Sequence, residues 1–367
     1  MTGGASMVGA ELAGAILLSL PGATPTRLRR ALHAFGTAEA VVAAIEDDRI
    51  AACFADRADL VAMWRAEIHN TRVELVGTIA GRGTRVLAAS EPDWPIPLDE
   101  PGLPPFLFAE GQCFEALTRP RIAIVGTRTP TPHGVVDARE LAAVLADRGA
   151  VVVSGLAFGI DAAAHEGALD AGGLTVGVTA TGLDIPYPTR HRGLWNQVRE
   201  HGLIVGEQPF GTPPRRELFP IRNRIIAAMS SAVVIVEAAV KGGAMRTAAA
   251  AADLGVPVFA IPGSRRNPVA EGCNRLIADG AGSIVDPLDV AALVSGLKPA
   301  PTAGRAEALA SRSAAAQRVH RALRGEPATL DELVARSGLD MATAAGAARE
   351  LERFGRLKRS NGRLWPI

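Results

Sequence analysis

The chain has 367 residues, 48% hydrophobic and only 4% aromatic, and its 39 Lys+Arg against 38 Asp+Glu leave a formal charge of +1. That length calls for two or three domains, and the charge excludes a uniformly basic coat while leaving room for a local basic face. Cys53, Cys113 and Cys273 stand far apart without a C-x-x-C pair, which speaks against a disulfide framework or a cysteine zinc site and fits reduced thiols in a cytoplasmic protein.

Lys241, Lys298 and Lys358 are the only lysines. An arginine excess suits recognition of phosphate by planar guanidinium groups, but alanine is also abundant, so a GC-rich codon bias accounts for it equally well. The apolar run Leu12–Leu20 follows Glu11 and has no basic residue before it, so an amphipathic first helix is expected rather than a signal peptide. No stretch is long enough to span a membrane.

Residues 11–70 read as short helices: one helix, a Pro-Gly turn, a second helix from about Thr26, a stop at Gly36 and a third helix capped by Thr37. The layout resembles a helix-hairpin-helix module, whose hairpin amides hold a DNA phosphate. The turn Pro21-Gly22-Ala23-Thr24 lacks the usual second glycine, so a helical packing domain over 1–75 is the preferred reading. Residues 71–110 form a proline-rich transition, WPIPLDEPGLPPFLF, ending in an edge strand at Phe106–Ala109.

From Arg121 onward short apolar runs alternate with helical segments. The runs are Ile122–Val125, Val151–Ser154, Thr175–Thr179, Leu203–Glu207, Ala232–Glu237, Val256–Ile261 and Ser283–Val285. This pattern predicts a Rossmann-like, doubly wound parallel α/β sheet over 76–296, with ligands held outside the carboxyl ends of its strands. The residues there are Gly126-Thr127-Arg128, Ser154-Gly155, Thr181-Gly182, Lys241-Gly242-Gly243 and Pro262-Gly263-Ser264. Glycine at five strand ends lets backbone amides approach a ligand closely. The stretch Phe219–Thr247 joins Arg222-Asn223-Arg224, a buried strand and a glycine turn before a helix, which together suit a phosphate. Neither G-x-G-x-x-G nor G-x-x-x-x-G-K-[ST] is present, so NAD and ATP are disfavoured and no cofactor is expected.

Five motifs in order, VGTRTPTPHG, SGLAFGIDAAAHEGAL, TGLDIPYP, FPIRNRIIAAMSSAVVIVEA and PGSRRNPVAEGCNRLIADGA, resemble the DNA-processing protein A (DprA/Smf) family. The resemblance is dense over roughly residues 105–290. It implies a cytoplasmic, homodimeric mediator, not an enzyme, that binds single-stranded DNA along a basic groove at this sheet edge. It further implies loading of RecA recombinase onto that DNA in natural transformation, with a single-strand-binding protein as a further candidate partner. Carried over, the resemblance makes Arg128 a phosphate contact, makes Arg222, Asn223 and Arg224 the family's R-N-R element, and places Ser154, Gly155, Gly182, Lys241 and Gly243 along the pocket. Gly126, Thr127 and Gly242 join them. Two positions depart from the pattern: Phe158 replaces an arginine, and Thr189 a lysine for which Arg190 and Arg192 are substitutes. For Phe158 a core position is preferred over base stacking.

The same sheet edge also resembles that of cytokinin-activating phosphoribohydrolases, whose glycine turn carries a catalytic glutamate. The acid would fall at Ala250, and alanine cannot do acid–base work. Structural roles are expected for Glu237 and Asp161, and surface or capping roles for His133, His165 and His191. Residues 297–312 read as a linker. Beyond it, helices at Ala314–Leu323, Leu330–Arg336 and Met341–Phe354 and a hairpin around Asn361-Gly362 spell a winged helix over 313–367. From Arg305 to the end 12 Lys+Arg face 7 Asp+Glu. The wing's Arg356, Lys358, Arg359 and Arg363 suit phosphate, whereas the third helix has few side chains able to read bases. A winged-helix regulator with a nucleotide-sensing sheet is the third reading.

Overall fold

The computed structural model describes residues 4–97, 100–293, 314–323, 326–353, 357–360 and 362–366. The chain divides into two compact units, Met1–Lys298 and Pro299–Ile367; the expected linker 297–312 lies outside the described residues.

The larger unit opens with α1 (Gly4–Ser19), α2 (Pro25–Phe35), α3 (Ala38–Glu46) and α4 (Ala58–Arg82). The hydroxyls of Thr24 and Thr37 cap α2 and α3 by accepting the amides of Arg27 at 3.4 Å and Ala40 at 3.2 Å. Expectation and structure part at α4, a 25-residue helix that runs straight through the boundary expected near residue 75. From its last turn Arg82 grips Glu110 with two hydrogen bonds of 2.7 and 2.8 Å and also donates to the Leu183 carbonyl at 3.1 Å. Glu110, 2% exposed, takes a third bond from Thr84. The helices and one face of the sheet share a core in which Ile16 and Trp64 lie in one cluster with Phe108, Leu156 and Trp195. No helix among the described residues is long and apolar enough to cross a membrane.

The sheet has nine strands in the order β1-β2-β6-β5-β4-β3-β7-β8-β9. They are β1 (Arg85–Ala88), β2 (Phe106–Gly111), β3 (Arg121–Val125), β4 (Val151–Ser154), β5 (Thr175–Val178), β6 (Leu203–Gly206), β7 (Ala232–Ile235), β8 (Val258–Ala260) and β9 (Gly282–Ser283). The run β3 to β9 is parallel, and β2 and β1 extend it antiparallel, β1 being a strand the sequence did not reveal. Strands β3 to β7 are built of apolar, mostly β-branched residues and are buried throughout apart from Arg121, as strands covered on both faces must be. The helices α5 (Pro132–Asp147), α6 (Ile160–Asp170), α7 (Arg192–His201), α8 (Leu218–Ala228), α9 (Gly243–Asp253) and α10 (Glu271–Ala278) alternate with them. After β6 the chain returns to the middle of the sheet, where β7 pairs with β3 from Ile122↔Ala232 to Val125↔Ile235. The winding direction reverses between these two strands, which is where such a sheet opens a crevice.

The smaller unit is a winged helix: helices Ala314–Leu323, Leu330–Ser337 and Met341–Arg353, then β10 (Leu357–Ser360) paired with β11 (Arg363–Pro366). Thr329 and Glu332 form a capping box, and Val319, Leu333, Leu351 and Leu364 share its core. Asn361, Arg356 and Phe354 lie outside the described residues.

His165 corrects an expectation. It is a core residue with no exposure, its Nδ1 lying 2.6 Å from Thr175 Oγ1, which itself donates to the Val152 carbonyl. Thr175 has thus spent its proton, so Nδ1 carries the histidine's. Burial, then the positive charge of Arg222, pushes the imidazole down to about 3. The unfolded chain takes up a proton at this histidine near pH 6.5, which the folded chain refuses until about pH 3. This contribution is therefore complete above pH 6.5 and falls by up to about 1.4 kcal/mol per unit as the medium is acidified. Urea unfolding at pH 7 and pH 5 should show the wild type losing about 2 kcal/mol more than His165→Gln over that interval.

Candidate nucleic-acid interface

A cavity of about 720 Å³ opens beyond the carboxyl ends of β3 and β7, at the switch in strand order. Gly126–Arg128 form one wall, and Ala238, Ala239 and Lys241–Gly243, leading into α9, form the other. The side of α8 bearing Phe219, Arg222 and Asn223 closes it from behind.

The R-N-R element turns out to face the protein. Arg222 is 5% exposed; its Nη1 donates to the Gly155 carbonyl at 2.6 Å and to that of Val178, and its Nε to Asn223 Oδ1 at 3.2 Å. Those carbonyls stand where β4 and β5 run out of ladder partners, and buried carbonyls need one. Asp161, 6% exposed, accepts the Gly155 amide at 3.1 Å. Burial raises its carboxyl against the pull of Arg222. Burial likewise lowers the Arg222 guanidinium to about 10, against the pull of Asp161, which leaves it charged at neutral pH. Asn223 Nδ2 donates to the Gly243 carbonyl at 3.1 Å. Arg224 Nη2 pairs with Glu207 at 2.5 Å, on a carboxyl that burial pushes up. The three side chains thus lock α8 to β4, β5, β6 and α9. Arg222 therefore has a positioning role through Nε and Nη1, while it also lines the cavity.

Most of the strand-end glycines also answer to packing. A Cβ on Gly126 would lie 2.5 Å from Ile160, one on Gly155 2.5 Å from the Arg222 guanidinium, and one on Gly182 2.6 Å from the Pro209 carbonyl. Ser154, fully buried, donates to the Ile124 carbonyl at 2.7 Å. Gly243 differs, since a Cβ there would meet nothing within 4 Å. It opens α9, whose start has no capping side chain, so first-turn amides lacking intrahelical acceptors face the cavity. Glu237 fills the structural role expected of it, accepting the Thr131 amide at 2.8 Å and its hydroxyl at 2.6 Å at the start of α5.

Exposed charge lines the mouth. Arg128, whose guanidinium stacks 5.2 Å over the Phe219 ring, is joined there by Lys241 and by Arg216 and Arg246. Sequence reasoning missed the last two. Arg216 sits in a loop before α8 and Arg246 one turn into α9, and only the fold brings them together; the run GGAMRT was the one local hint. Among the described residues none of the four is held in an ion pair. Among the lining residues Asp161 is the one carboxylate, and it accepts the Gly155 amide. Thr127 lines the wall, while Arg190 and Arg192 are exposed on the turn after Pro188, outside the cavity itself. In the wing, Arg359 pairs with Glu352 at 3.1 Å and Arg363 lies 3.6 Å from Glu332, and among the described wing residues Lys358 is exposed and held in no ion pair.

A family model described as DNA recombination-mediator protein A matches residues 85–295, and one described as DprA winged helix domain matches 300–363. A DprA-named protein of Mycobacterium tuberculosis is 39% identical over 306 residues, covering 78% of this chain and 77% of that one. The DNA processing protein DprA of Bacillus subtilis is 38% identical over 187 residues, or 51% of this chain and 63% of its own. Among solved structures, DprA of Streptococcus pneumoniae superposes with a TM-score of 0.62 at 27% identity, covering 76% of this chain and 96% of that one. The Helicobacter pylori DNA processing protein A, described for its single-stranded DNA binding mode, gives 0.51 at 32% identity, over 57% of this chain and 94% of its own.

The contrast between buried and exposed arginines is measurable as stability. Arg222→Met should cost about 3 kcal/mol by taking the donor from the buried Gly155 and Val178 carbonyls, and adding Asp161→Leu, which strips the Gly155 amide of its acceptor, should deepen the loss. Arg128→Met should stay within about 0.5 kcal/mol of wild type. Urea midpoints of the four proteins check this.

Proposed function

We propose, from the premise that this chain belongs to the DNA recombination-mediator protein A family, that it binds single-stranded DNA without sequence preference across the β3/β7 cavity. One observation carries the reading. Arg128, Arg216, Lys241 and Arg246 surround a cavity whose only lining carboxylate is already spent. Such a site attracts phosphate and offers no arrangement of side chains for reading bases, so affinity comes from charge. The amides at the start of α9 add a further phosphate seat. Arg190 and Arg192 continue the positive track past the cavity, which suits a polymer better than a mononucleotide. The H. pylori relative, 32% identical, is itself described by its single-stranded DNA binding.

In this reading Arg128, Lys241, Arg216 and Arg246 contact phosphates, with the Thr127 hydroxyl and the Gly242 and Gly243 backbone beside them. Arg222, Asn223, Arg224, Ser154, Gly126, Gly155 and Gly182 hold the walls. Family resemblance supports the next step, transfer of the strand to a RecA-type recombinase during DNA uptake by a homodimer, with a single-strand-binding protein as the competitor to be displaced. A hydrolase reading finds less support. Ala250 stands where its acid would be, and Asp161 and Glu237 are engaged in holding backbone.

Fluorescence anisotropy with a dT oligonucleotide over a range of salt tests the proposal. Wild type should bind single strands more tightly than duplex, and Arg128→Ala or Lys241→Ala should each flatten the log–log salt slope by about 0.7. Equal affinity for duplex, or no loss in an Arg128→Glu/Lys241→Glu double variant, would overturn it. Recombinase ATPase on strands precoated with single-strand-binding protein should rise with wild type and not with the double variant.

A further inference from the structure

Phe158 stands one residue from the cavity wall at Ala157, and the structure corrects the expectation that it belongs to the core: it is 37% exposed. A single exposed apolar side chain is ordinary. The way this one is held is not. Leu156, before it, adopts the left-handed conformation (φ 60) with its side chain buried to 1% and packed so closely on Gly177 that a Cβ there would lie 2.8 Å away. Gly159, after it, has φ 80, and a Cβ would come within 2.4 Å of the Thr127 carbonyl oxygen and 2.8 Å of the Arg128 carbonyl carbon. The phenylalanine is therefore carried on a turn anchored on one side in the core and on the other beneath the Arg128 loop. Its ring meets that of His191 at 4.4 Å and 75°, edge to face, and His191 Nδ1 lies 3.3 Å from the Leu156 carbonyl. Arg190 and Arg192, both exposed, flank that histidine.

Backbone and neighbours thus fix an accessible aromatic ring between one phosphate-binding arginine and a pair of others. Nucleobases stack on such rings regardless of sequence while flanking cations take the phosphates. The geometry points to Phe158, braced by His191, as a base-stacking platform for single-stranded nucleic acid, spanned by phosphate contacts at Arg128 on one side and at Arg190 and Arg192 on the other. It rests on the strand binding proposed above and adds to it a contact with bases rather than phosphates. It also assigns the track a direction, from the switch-point cavity towards the start of α7.

Phe158→Leu keeps apolar bulk and removes the ring, while Phe158→Tyr keeps the ring. On a dT oligonucleotide, Phe158→Leu should weaken binding roughly tenfold, within the range that one stacked base contributes. Its salt slope and thermal midpoint should match wild type, and Phe158→Tyr should bind as wild type does. On an oligomer of abasic sites with the same phosphate number, wild type and Phe158→Leu should bind alike. Unchanged dT affinity in Phe158→Leu, or an equal loss on the abasic oligomer, would overturn the platform while leaving the phosphate track intact. Failure of wild type to bind either oligomer would instead remove the underlying strand-binding reading and the platform with it.

Discussion

The architecture of the site depends on one buried guanidinium. Strands that end together at the edge of a parallel sheet leave carbonyls without ladder partners, and a buried carbonyl without a donor is costly. Arg222 reaches two of them, at Gly155 and Val178, from a helix that crosses behind the cavity. The charge that makes it a strong donor would itself be unfavourable in the interior, and Asp161 offsets that charge. Because the donors form a rigid planar fork, they fix the orientation of α8 as well as its distance. Phe219, on the first turn of α8, then sets where Arg128 can rest. The position of an exposed side chain thus traces back to a cation that is almost wholly enclosed.

The same residue type therefore serves two separate purposes within one cavity. Inside, arginine acts as a multi-donor bracket between strand ends and helix. At the rim, Arg128, Arg216 and Arg246 are exposed and, among the described residues, held in no ion pair, and Lys241 adds a compact charge that matches no fixed geometry. Glycine shows a similar division. Gly126, Gly155 and Gly182 are small because protein atoms occupy the space a side chain would need, whereas Gly243 is small where the cavity is open.

Much of the sheet was legible in the sequence because its strands are continuous apolar runs with helices between them, a pattern set by burial on both faces and visible residue by residue. The strand-to-helix turns of the site were legible for the same reason. What escaped was whatever depends on distant neighbours. Residues 71–110 read as a proline-rich transition, yet α4 runs on to Arg82, where Glu110 holds it. Strand β1 is four residues long and exists through its pairing with β2. The enclosure of Arg222 was not legible because nothing local signals that a charged residue will be buried, and Phe158 read as core because nothing local signals that an aromatic will be held outward. Arg216 and Arg246 gained their place only when α8 and α9 came together.

A formal charge of +1 conceals how unevenly the charge is distributed. Up to residue 304 the chain has 27 Lys+Arg and 31 Asp+Glu, a net of −4, and without Arg128, Arg216, Lys241 and Arg246 the remainder of that segment stands at −8. The larger unit thus carries a net negative charge while the mouth of the cavity gathers four of its cations. A polyanion nearing that mouth would meet local attraction within a surround of net repulsion. Added salt would screen the surrounding repulsion together with the local attraction.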